Sequence, residues 1–490
     1  MKRRNFIKSL GLMGSSVLIP SVLGERGLIS SASAANISAR QLLNARAGIA
    51  DTVGFTKPAV LPQIINVFLY GGPSELAGNL TNIEDINTNS QNPYPANLFP
   101  GNANHTQNGF WLTAGGEVME RMLEKNRLSV YRTINRIDDN SRAHRPSIFS
   151  NLTGMIGEDD MRPGVATNIA AVLAANSAVS ENAIFPFVTF EGESVVFNQG
   201  SDLPLGLRPI SLNQNLENPY QRPLGAAGDA SSTLDTLASS AAANKAVRFQ
   251  QVVDAFTKRN EIDDFIGDLD DKINNAALVL NNPDFVDGSD IASEQDALIT
   301  YPNNGFGPRL EKAVNLVINN PDTIFVSLGN EGLGGWDDHN SALDDNKYPS
   351  RMRNLMRSLE VAGQHLEAAG KGNVVINVYG DFGRNVNLNN SLGWDHGNCQ
   401  NLYTVSANPN AAGVTGAIPG REMGKLVGET VRKGKANENR QFTHPTDNSY
   451  QCEPFAISAS IYKYFGVENP ELLTGGYAPI DETNPENLKV

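Results

Sequence analysis

Short runs rich in β-branched and aromatic residues set the strongest limit on how this chain can fold. Residues 64–70 (Ile-Ile-Asn-Val-Phe-Leu-Tyr), 128–134, 323–328 (Thr-Ile-Phe-Val-Ser-Leu) and 374–379 are too short for buried helices and read as strands. The most apolar of them are continuous rather than alternating, so both faces of each strand must be covered. Further strands are expected at 183–190, 195–198 and 402–406. Between them lie helical patterns: Val165–Ala175, a stripe of Met352, Leu355, Met356, Leu359, Ala362 and Leu366 over 349–369, and 454–465. Strands alternating with helices predict an α/β fold with a central, largely parallel sheet and helices on both faces.

The segment 200–320 differs in character. Its first thirty residues are rich in Pro, Gly and Asn. Phe249, Val252, Val253, Phe256, Ile262, Phe265, Ile266, Leu269 and Ile273 then recur at helical spacing. It reads as a mostly helical insertion into a core formed by 35–199 and 321–490. Residues 80–110, rich in Asn and Pro, read as a long loop.

The chain opens Lys2-Arg3-Arg4-Asn5-Phe6-Ile7-Lys8, a twin-arginine signal. A weakly apolar run from Ser9 to Gly24 follows, too short and too polar to span a bilayer, and then Ala32-Ser33-Ala34, a small-x-small cleavage site. Residues 1–34 therefore predict a leader read by the twin-arginine translocase, and a protein that works in the periplasm or beyond. After processing no apolar run of spanning length remains, so no membrane span is expected. That pathway carries folded proteins, which favours a metal inserted before export.

Of the 490 residues, 53 are acidic and 39 basic, a net charge of −14. Removing the leader's five basic residues and one acidic residue takes this to −18. Such a surface repels nucleic acid and anionic membrane. A small anionic substrate would need local cations. The two cysteines, Cys399 and Cys452, permit one disulfide or two buried thiols.

Each main strand ends in an unusual polar segment, where sites form in α/β sheets. Strand 64–70 runs into Gly71-Gly72-Pro73-Ser74, and 128–134 leads to Ser141-Arg142-Ala143-His144-Arg145. Strand 323–328 is followed by Gly335-Trp336-Asp337-Asp338-His339. Strand 374–379 ends at Gly380-Asp381-Phe382-Gly383-Arg384, with Asp395-His396 soon after. With only six histidines in the chain, Asp–His pairs at strand ends stand out. Carboxylate and imidazole together suit zinc, manganese or, through oxygen, calcium. Asp337, His339, Asp381 and His396 are the candidate ligands for one or two divalent ions. Ser141 is the candidate nucleophile, with His144 and Arg142 orienting an anion. Ser74, Arg145 and Arg384 are candidate substrate contacts, since guanidinium forks match tetrahedral oxyanions. Asp337-Asp338-His339 would alternatively cap a helix, Asp395-His396 would be a hydrogen-bonded loop pair, and Ser141 a helix cap.

These segments in this order resemble a twin-arginine-exported bacterial family called domain of unknown function 1501, grouped with the alkaline phosphatase and sulfatase superfamily. The motifs carrying the resemblance are Phe68-Leu69-Tyr70-Gly71-Gly72-Pro73-Ser74, Ser141-Arg142-Ala143-His144, Gly335-Trp336-Asp337-Asp338-His339 and Asp381-Phe382-Gly383-Arg384 followed by Asp395-His396. The resemblance implies a three-layer α/β/α alkaline-phosphatase-like core, two metal sites, and cleavage or transfer of phosphate or sulfate esters. Asp337, His339 and His396 would form one site, and Asp381 with a first-strand residue the other. Ser74 departs from the acidic residue frequent in that family, Asp381 replaces its usual Glu, and the sulfatase pattern Cys-x-Pro-x-Arg is absent. A non-catalytic exported binding or envelope-assembly protein on the same fold is the alternative reading.

Overall fold

The computed structural model describes residues 53–81, 83–88, 92–139, 141–180, 183–213, scattered helical positions between 236 and 269, 301–407, 423–434, 441–483 and 486–487. The leader motif lies outside the described residues. Strands run β1 (Gln63–Leu69), β2 (Leu128–Asn135), β3 (Phe187–Thr189), β4 (Ile210–Ser211), β5 (Phe325–Leu328), β6 (Val374–Gly380), β7 (Arg384–Leu388), β8 (Trp394–His396), β9 (Cys399–Ser406), β10 (Leu426–Val427), β11 (Thr430–Gly434), β12 (Gln441–Pro445), β13 (Gln451–Cys452) and β14 (Glu486–Asn487). The principal helices are α1 (Ile83–Asn87), α2 (Gly116–Glu124), α3 (His144–Thr153), α4 (Val165–Ala175), α5 (Phe306–Asn319), α6 (Tyr348–Ala368) and α7 (Phe455–Tyr464).

Ten strands form one sheet, in the order β14-β13-β2-β9-β6-β1-β5-β3-β4, with β10 also pairing β2. Every pairing in it is parallel except those of β9, which runs antiparallel to both β2 and β6. The continuous apolarity of β1 has the expected cause. Ile65, Val67 and Leu69 pack on one face with Met119 of α2, Leu310 of α5 and Leu355 of α6. Ile64 and Phe68 pack on the other with Ile169 of α4 and Ile457 of α7. The protein is thus a three-layer α/β/α structure.

Several elements differ from the sequence reading. Val195–Phe197 is a 3-10 turn rather than a strand. So short an apolar run has too little alternation to separate the two. The expected loop at 80–110 contains α1 and a further 3-10 turn at Ala96–Leu98, and is anchored by the buried Tyr94, Leu98 and Phe110. The sheet and its helical layer also draw on residues assigned to the insertion: β4 joins the sheet edge, and Leu310, Ala313 and Val314 of α5 enter the first core. Ile262 and Leu269 are buried in that same core, and the Phe265 ring sits 5.7 Å from that of Phe185. Among the described residues no helix is long and apolar enough to cross a membrane.

Candidate metal centre

Five chain segments meet at the carboxyl ends of β1, β5 and β6. Gly71 follows β1 with φ +114°, and a Cβ there would lie 2.6 Å from the Asp337 backbone nitrogen. The glycine lets the chain pass directly against the loop that follows β5. Asp381 leaves the end of β6, fully buried, and accepts the Gly71 N–H at 3.2 Å. Asn151 of α3 donates to the carbonyls of Gly380 and Asp381 at 2.7 and 2.9 Å, and Arg136 adds a bond to the Asp381 carbonyl at 2.8 Å. These bonds fix the direction of the Asp381 side chain.

Three imidazoles then converge on one carboxylate oxygen. Asp337 Oδ1 lies 3.0 Å from His339 Nε2, 3.4 Å from His396 Nε2 and 3.5 Å from His144 Nε2. The Nδ1 atom of each ring faces an oxygen: Asp381 Oδ2 at 2.6 Å for His144, Asp395 Oδ1 at 3.2 Å for His339, and the Arg142 carbonyl at 2.6 Å for His396. A carbonyl oxygen only accepts, so the His396 proton belongs on Nδ1 and the Nε2 lone pair points inward. The Asp381 and Asp395 carboxylate oxygens, as acceptors, set the same tautomer for His144 and His339. The rings also pack at tilted or edge-on angles, with His396 4.5 Å from Phe382, 4.7 Å from His144 and 5.0 Å from His339.

The electrostatics follow from these contacts. The bond to Asp381 raises the His144 pKa above its ordinary value, against the opposing effect of burial. Burial lowers that of His396, and the Arg384 charge lowers it further. Burial pushes the Asp337 carboxyl up, but the bond and charge of Arg384, with His339 and His144, outweigh it and leave its pKa below the usual value.

Inward lone pairs and a carboxylate oxygen a few ångströms apart repel one another unless a cation lies among them. His144, Asp337 and His396 offer ligand atoms all within 4.8 Å of one another. A nitrogen-and-oxygen donor set with each imidazole oriented from behind fits a divalent ion of the zinc or manganese type. Calcium, which prefers oxygen, fits it less well.

The structure distributes the expected site residues unevenly. Asp337, His339 and His396 come together. His144, expected to orient an anion, points Nε2 into the same cluster. Asp381, expected as a ligand, spends its oxygens on His144 and Gly71 and stands behind the cluster. Arg384, expected to contact substrate, is only 1% exposed. It donates to Asp337, to the carbonyls of Gly71, Gly72, Trp336 and Trp394, and approaches His339 Nε2 at 3.4 Å. Ser74 is buried, and its Oγ accepts the Leu76 N–H to cap a 3-10 turn. Arg145 is exposed and pairs with Glu158 and Asp160. The Ser141 hydroxyl is half-buried and accepts the Ala143 N–H at 3.5 Å, while Arg142 touches the cluster through its backbone carbonyl. Sequence reasoning missed Asn151 and Arg136. Nothing in their local sequence sets them apart from other polar residues, because their role comes only from contacts with the distant β6 end.

The centre thus belongs to the class of imidazole–carboxylate sites built at the carboxyl edge of a parallel sheet. No protein-family model and no curated protein matches the chain. Among solved structures it is similar to alkaline phosphatase from the Antarctic bacterium TAB5, at 11% identity, covering 71% of this chain and 92% of that one with a TM-score of 0.28. A 2-O GAG sulfatase is 10% identical over 87% of this chain and 76% of its own, with a TM-score of 0.32. A mutant of the TAB5 phosphatase with Mg bound is 12% identical, covering 72% and 93%, with a TM-score of 0.29.

Proposed function

We propose that this is an exported, metal-dependent hydrolase of phosphate or sulfate esters, working in the periplasm or outside the cell. The observation that carries the reading is the convergence of three imidazole Nε2 atoms on Asp337, each ring held from behind by an oxygen acceptor. His144, Asp337, His339 and His396 would hold the ion. When bound by these residues, the ion would supply Lewis acidity toward an ester oxygen and offset negative charge developing on it. The substrate class agrees with the motif resemblance to the domain of unknown function 1501 family and its phosphatase and sulfatase kin.

The protein's own groups supply the rest. Arg384 keeps Asp337 ionised and fixes it against the backbone. Asp381 holds the His144 ring with Nε2 inward. Ser141 is the proposed nucleophile, because it adjoins Arg142, whose carbonyl orients His396, and its hydroxyl makes only a long contact with Ala143 among its described bonds. Against the net negative charge of the chain, a bound cation would supply the local positive charge that draws in a small anionic ester.

The test is metal analysis of the purified, leader-processed protein, together with aryl-phosphatase and aryl-sulfatase assays. Near-stoichiometric metal, lost with turnover in Asp337→Ala and His396→Ala, supports the reading. Asp381→Asn should retain the fold but weaken metal binding by about 10–100-fold, since it removes the carboxylate behind a ligand. Ser141→Ala should retain metal and lose turnover. Metal without turnover on a broad ester panel would instead favour a non-catalytic binding protein.

A further inference from the structure

Resting on the proposed cation centre, we infer that it takes a single divalent ion, and that Arg384 fills with a fixed charge the place a second ion would need. The Arg384 guanidinium lies against Asp337 and 3.4 Å from His339 Nε2, so it already touches two of the four inward groups. It is buried, and four backbone carbonyls hold its remaining donors. Such a fork cannot swing aside without leaving those carbonyls and its own charge unpaired, a cost that anchors it.

The other carboxylates near the centre are committed elsewhere. Asp381 is fully buried between His144 Nδ1 and the Gly71 N–H. Asp395 Oδ1 serves His339 Nδ1 and the Asn389 amide. Asp338 pairs with Arg351, whose guanidinium lies over the Trp336 ring. Among the described residues, one group of side chains lies close enough to share an ion.

The experiment titrates chelator-stripped, full-length processed protein with Mn2+ by calorimetry, confirms the bound metal by elemental analysis, and records the paramagnetic resonance spectrum. One equivalent with the six-line signal of an isolated Mn2+ is expected. Two equivalents, or a spin-coupled pair, would overturn the inference while leaving the cation centre standing. No binding at all would overturn the centre and the inference together. In Arg384→Gln, loss of the adjacent positive charge should tighten Mn2+ binding by roughly tenfold or more. Unchanged or weaker binding in a variant with the parent's Tm would remove Arg384 from this role, and the unmodified protein's stoichiometry decides the matter if the variant does not fold.

Discussion

Asp337 Oδ1 shows how one atom can organise a site: three imidazoles and one guanidinium meet there, and each is fixed by a different part of the chain. Away from it, Glu453 does comparable work for the loop leading to His144. Its Oε1 accepts the N–H groups of Ile137 and Asp138, both at 2.6 Å. Burial pushes its pKa from 4.5 up to about 7, and those two bonds do not offset the desolvation. The native protein therefore keeps a proton that the unfolded chain releases between those values. Stability contributed here falls as pH rises through that window and stays reduced above it. Glu453→Gln keeps an acceptor for both N–H groups and cannot ionise. Between pH 5 and pH 8, the native protein should lose on the order of 2–3 kcal/mol relative to this variant. Chemical denaturation at both pH values measures the difference, and parallel stability curves would refute it. Glu75 is likewise pushed up to about 7 by burial, so the variant should retain part of the overall pH dependence.

At the scale of elements, the turn from β6 into β7 brings Asp381 and Arg384 within three residues of each other yet sends them to different tasks. Gly383 makes that turn possible by crossing β9 at close range, where a Cβ would sit 1.5 Å from the Cys399 carbonyl oxygen. No rotamer relieves a clash with backbone. Gly383→Ala should cost at least about 3 kcal/mol, in the range of severe steric substitutions. Thermal unfolding checks this, and a Tm within 2 °C or so of the parent would contradict it. The sheet has its own unexpected feature. Thr189, Ser327, Asn66, Asn377, Thr404 and Ser129 are paired in register across six neighbouring strands, and all are buried. A polar level thus crosses the middle of the sheet on the face covered by α4 and α7. In each strand it occupies one position among apolar neighbours, so only the register shows that the positions form a row.

For the molecule as a whole, the sheet order settles the cysteines. Cys399 of β9 pairs with Asn135 of β2, and Cys452 of β13 pairs with Ile134 of the same strand. With β2 between them, the thiols stand two strand spacings apart, roughly 9–10 Å. That exceeds the reach of a disulfide of about 7 Å between Cα atoms. Both are buried and neither is bridged. Both should react with a thiol reagent only after unfolding, and reductant should leave Tm unchanged. An intact disulfide found by mass spectrometry in purified protein would contradict the topology.

The sequence by itself determined the layer architecture. Strands buried on two faces need helices above and below, and residues 64–70, 323–328 and 374–379 carry that requirement in their composition. It also marked the strand ends as candidate sites, since Asp and His recur there in glycine-rich segments. The tertiary structure decided which of those residues face inward. Asp381 and Arg384 look like ligand and anion clamp in the sequence; in the fold one stands behind His144 and the other is buried beneath Asp337. His144 becomes a prospective ligand because α3 begins where the ends of β6 and β8 converge. Local spacing specifies which side chains are near in the chain, but which lone pair points at a common centre depends on the register and crossing of segments hundreds of residues apart.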